Sequence, residues 1–158
     1  MWFVTHYPMP NESLNRLQEN LVRIVTADGG AFEKAYGRTA RHFLDQLPVL
    51  FPVLRRATFD LALPSEARRL MALGVLYVAE PDDYMSEAQF GPRSMLDDCF
   101  VIFSAFARAR SIAGDEFIAR HARVPGTYEE LCALADNVSA LVKHLPSKVH
   151  EQLDTYLS

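Results

Sequence analysis

The chain has 158 residues, 49% of them hydrophobic, with 20 acidic side chains against 16 basic ones and a formal net charge of −4. That length suits one domain, spanning 1–158, which buries about 70% of its unfolded surface and needs neither disulfide nor metal to fold. The composition excludes a disordered chain, and the mild acidity argues against nucleic acid as a partner, because phosphate recognition is dominated by basic surface.

Residues 1–12 contain Pro8 and Pro10 and read as an extended arm. Its aromatic residues Trp2, Phe3 and Tyr7 either pack on the body or serve a partner. No basic segment followed by an apolar one opens the chain, so no signal peptide is expected and the expected location is the cytoplasm.

Ser13 is a candidate N-cap for a first helix with Leu14, Leu17, Leu21, Ile24 and Val25 on one stripe, ended by Gly29-Gly30. A second helix is expected from Ala31 to Leu47, with Phe32, Tyr36, Ala40, Phe43 and Leu47 on one face. Pro48 and Pro52 are expected to break it, leaving a short helix or turn over 49–58. Pro64 and Ser65 open a third helix, with Glu66 in its first turn. Residues 70–79 are apolar on nearly every side, so this helix should be central, and Gly74 should permit a close helix crossing.

An acidic loop punctuated by Pro and Gly spans 80–93, and a second apolar helix begins near Met95. Ser94 is its candidate cap and Asp97 the partner three residues on. Phe100, Phe103 and Phe106 read as core. A short helix is expected near 115–122, then a turn at Pro125-Gly126 and a capping box, Thr127-x-x-Glu130. The helix from Tyr128 to His144 carries Leu131, Leu134, Ala135, Val138 and Leu141 on one stripe, and a last helix from Ser147 to Leu157 turns Val149, Leu153 and Leu157 inward. No strand alternation persists, so the expected fold is all-α: six to eight helices around a buried central hairpin. Cys99 and Cys132 form no C-x-x-C pair and read as buried, reduced thiols. The unbroken apolar runs fall short of the ~18 residues that span a bilayer.

Tyr77-x-x-x-Pro81-x-Asp83, then Glu87, Gly91 and Leu96-Asp97-Asp98, form the sharpest motif. It resembles the YkvA-like domain of unknown function, in which an apolar helix, a proline–aspartate turn, a glycine and a paired aspartate open a second apolar helix. The resemblance covers about 40 residues. Ser86 stands where that family has a second proline, and Glu87 replaces an aspartate. It implies a helical hairpin of bacterial type but no reaction, because the family's activity is not established. Many relatives are membrane-associated, so peripheral membrane association is one alternative.

From the residues themselves, Asp83, Glu87, Asp97 and Asp98 have a chemistry to weigh. Mg²⁺ or Ca²⁺ takes oxygen ligands, and a loop folded back on a helix start brings carboxylates together. The structural alternative is that Asp97 and Asp98 serve the helix dipole while Asp82 and Asp83 shape a turn. The histidines make no zinc spacing, and there is no nucleophile elbow, Walker loop or dinucleotide fingerprint. Arg55, Arg56, Arg68, Arg69, Arg108, Arg110, Arg120 and Arg123 either lie on solvated faces or converge on an anion. The leading expectation is a non-catalytic interaction or regulatory domain acting through a protein partner or self-association. The rival is a divalent-cation enzyme built on the four carboxylates.

Overall fold

The computed structural model describes residues 11–79, 95–123 and 126–158. Its helices are α1 (Asn11–Ala27), α2 (Ala31–Ala57), α3 (Ser65–Ala79), α4 (Leu96–Ala113), α5 (Asp115–Ala119), α6 (Thr127–Asp136), a 3₁₀ segment (Val138–His144) and α7 (Ser147–Leu157). The described residues contain no strand, and the fold is all-α.

The apolar circumference of α4 dictates its place. Leu96, Cys99, Phe100, Val101, Ile102, Phe103, Ala105 and Phe106 are all buried, and a helix without a polar face must be enclosed. It packs on α2, α3, α5, α6, the 3₁₀ segment and α7, while α1 lies on α2. The most extensive packing is α3 on α4, the expected hairpin. Gly74 makes it possible: a Cβ there would sit 3.0 Å from Ala105 Cβ. Phe43 on α2 meets Phe103 on α4 edge to face, with ring centroids 5.0 Å apart. Cys99 and Cys132 are buried and unbridged.

Several local expectations need correction. Asn11 and Glu12 are already helical, so the arm is shorter than 1–12 and Ser13 lies inside the first turn, where Glu12 suits the helix dipole. Residues 1–10 lie outside the described residues, so the packing of Trp2, Phe3 and Tyr7 does too. Pro48 and Pro52 do not end α2, which runs on to Ala57. Each proline costs a helix about 3 kcal/mol. Leu47, Leu50, Phe51, Val53 and Leu54 around them are buried, however, at roughly 1.5–3 kcal/mol each, which outweighs both. The non-helical residue in α2 is instead Gly37, with φ 92° and ψ 174°.

Thr127 does not cap α6. Gly126, at φ 83°, takes the N-cap position, and Glu130 reaches His42 on α2 at 2.7 Å. The expected 128–144 helix stops at Asp136. Asn, Val and Ser are weak helix formers, and beyond Asn137 the chain tightens to 3₁₀, where Val138, Leu141 and His144 recur every three residues. α7 turns Val149, Leu153 and Leu157 into the core as its spacing predicts.

Candidate functional site

Of the four hairpin carboxylates, Asp83 and Glu87 lie outside the described residues, as does Ser94. Asp97 and Asp98 fall in the first turn of α4, after an N-cap at Met95 that makes no side-chain capping bond. Asp97 is fully buried, and its Oδ2 accepts a hydrogen bond from the Tyr77 phenol of α3 at 2.5 Å. The carboxylate therefore ties one arm of the hairpin to the other, while its expected capping partner, Ser94, lies outside the described residues. Tyr77 also stacks edge to face on Tyr156 of α7, whose hydroxyl donates to Leu73 O at 2.8 Å. Among the described residues no three His, Cys, Asp or Glu side chains are grouped to hold a metal ion.

The thiols are chemically quiet. Burial, then the negative charges of Asp98, Asp97 and Asp45, push the Cys99 thiol well above its ordinary value, and burial raises Cys132 too. A protonated thiol is a poor nucleophile. Burial pushes the Tyr128 phenol up, and the neighbouring Cys132 adds to the rise.

Most arginines are committed to carboxylates or to backbone. Arg69 pairs with Glu66, Arg108 with Asp154, and Arg110 with Asp115 and Asp136. Arg68, itself buried, donates from Nε to Leu63 O. The turn after α2 behaves differently. Asp60 Oδ2 accepts from Arg120 Nη2 at 2.7 Å and lies 2.8 Å from His121 Nε2, while its Oδ1 accepts the Ala62 amide at 3.0 Å. The His121 bond leads the forces that hold the Asp60 carboxyl below its ordinary value, followed by the Ala62 amide and Arg120 against the opposing effect of burial.

Beside this turn an open-sided cleft of about 520 Å³ separates the start of α1 from the end of α2. Its described walls are Asn15 and Gln18 on α1 and Arg55, Arg56 and Phe59 from α2 onward. Asn15, Gln18 and Val22 follow at i, i+3 and i+7, so they share one face of α1, and Val22 is 62% exposed. Phe59 is 46% exposed and Leu61, two residues on, 69%. Arg55 Nη1 donates to Gln18 Oε1 at 3.3 Å, joining the two walls. Arg56 Nη2 donates to His121 O. Burial, then the charge of Arg123, push the Arg56 guanidinium below its ordinary value, though a guanidinium stays charged at any physiological pH.

Sequence reasoning named Arg55 and Arg56 but not this cleft. Its walls lie 37 residues apart in the chain, and periodicity carries no information about such a pairing. The usable signal was the polar strip Asn15–Gln18 beside the apolar stripe of Leu14, Leu17 and Leu21. No described helix is long and apolar enough to cross a membrane. Comparison with family models, with curated proteins and with solved structures finds no match, so the likeness to the YkvA-like domain rests on the hairpin residues quoted above.

Proposed function

We propose that the chain is a non-catalytic interaction domain that receives a partner protein at the α1–α2 corner. The observation that supports this reading is the chemistry of the cleft wall. Amides, guanidiniums and a phenyl ring line it. Amides and guanidiniums hydrogen-bond, and a half-exposed phenyl ring offers apolar area, yet none of them passes a proton near neutral pH. Among the described residues the wall is equipped to hold a partner, and none of its side chains is a nucleophile or a proton carrier near neutral pH. Half-exposed aromatic and arginine side chains are also the types enriched at protein interfaces. At the hairpin, Asp97 serves a buried bond to Tyr77, which supports a structural role for that carboxylate.

Site-specific photocrosslinking tests the reading. A benzophenone amino acid replaces Phe59 at the corner or Lys148 on the exposed face of α7, in the full chain expressed in its own cells. The expected result is a discrete adduct from position 59 that disappears with Arg55→Glu and Arg56→Glu, and none from position 148. Equal labelling at both positions, or none at 59, would overturn it.

A further inference from the structure

Arg56 lines the cleft with a partly buried guanidinium. Its Nε is buried and meets no hydrogen-bond acceptor, and its Nη2 is satisfied by a backbone carbonyl. Among the described residues no carboxylate pairs with it, nor with the exposed Arg123, whose positive charge lies nearby. The carboxylate of this turn, Asp60, is taken by Arg120 and His121. A partly buried cation beside a second cation, with the local acid engaged elsewhere, is an energetically costly arrangement in a chain whose overall charge is negative. An anion entering the cleft relieves it.

From these observations we infer that the cleft takes an acidic peptide segment of the partner, with a carboxylate on Arg56 and an apolar side chain against Phe59. This rests on the interaction reading above and adds the partner's chemistry. Three features favour a peptide over a small anion. The cleft volume of about 520 Å³ far exceeds a single oxyanion, and its side is open, so a chain can pass through. The Asn15 and Gln18 amides can each pair with both halves of a peptide bond, which suits an extended backbone. Phe59, half-exposed in the wall, offers apolar surface that an inorganic anion would not use. Charge then sets the partner's sign, because a basic corner on an acidic molecule steers acidic segments to itself and repels basic ones.

Selection of random peptides displayed on phage against the full chain reads this chemistry directly. Enriched peptides should carry Asp or Glu beside a leucine or an aromatic residue. A synthetic peptide of the enriched sequence should bind less tightly as salt rises, and should lose roughly tenfold or more in affinity with Arg56→Gln. Arg123→Gln, at an exposed position that leaves the fold intact, should weaken it in the same direction. Enrichment of neutral or basic peptides, no enrichment at all, or affinities unchanged in both variants would overturn the inference. So would selective binding of phosphatidylglycerol vesicles in place of peptides. A position-59 crosslink formed without any acidic enrichment would leave the interaction reading standing and remove this one.

Discussion

Two hydrogen-bonded carboxylates show how single residues serve this fold. Asp97 is buried with Tyr77 donating to it. Removing that donor leaves a buried acceptor short of a bond it had, a cost of about 1–3 kcal/mol. Tyr77→Phe should therefore lower stability by that amount in urea denaturation; a neutral effect would show that the bond contributes nothing. Asp60 supplies the pH dependence. Its carboxyl is held below its ordinary value by His121 first, then by the Ala62 amide and Arg120. A depressed folded-state value means the contribution is fully present above the ordinary aspartate range and is lost as pH falls through that range and below it. The stability gap between the native chain and Asp60→Asn should be present above the ordinary aspartate range and close as pH falls below about 4. A gap that persists at pH 2 would contradict the assignment.

Among the elements, α2 teaches most about what the sequence can and cannot say. Its apolar face was legible from Phe32 to Leu47, and so were α3, α4 and α7, because helical periodicity is a local signal. The prolines at 48 and 52 were misread for a physical reason: a proline's cost is local and visible, whereas the burial that outweighs it depends on α3 and α4, far away in sequence. The reverse happened at Gly37, a residue with no conspicuous neighbour that carries the non-helical conformation of α2. Its φ of 92° with ψ of 174° lies in a region essentially reserved for glycine. Gly37→Ala should cost about 1–3 kcal/mol, measured as a shift in the denaturation midpoint at unchanged slope. No loss, or a gain, would mean the helix straightens through position 37. Thr127-x-x-Glu130 matched a capping motif whose partners were claimed elsewhere, Glu130 by His42 and the cap by Gly126. A short motif states what a segment is able to do; the competing bonds come from the rest of the chain.

Taken as a whole, the molecule packs amphipathic helices around a central apolar hairpin and leaves an arginine-walled cleft at a corner remote in sequence from the acidic motif. That motif is conspicuous because its residues are adjacent; the cleft is hidden because Gln18 and Arg55 are not. The rival divalent-cation reading makes a separate prediction. A ligand that binds only the folded state at about 100-fold saturation adds about 2.7 kcal/mol. On the interaction reading, thermal unfolding of chelator-treated protein stays flat as Mg²⁺, Ca²⁺ or Mn²⁺ is added. A saturable rise that vanishes in Asp98→Asn would favour the metal.

The most direct measurement is an amide chemical-shift map of the full chain, titrated with the acidic peptide recovered by selection. Shifts concentrated at Asn15, Gln18, Arg55, Arg56 and Phe59, with Asp97 and Asp98 unmoved, are the expected result. Shifts concentrated at Asp97 and Asp98, with the corner silent, would contradict the account and return the function to the hairpin.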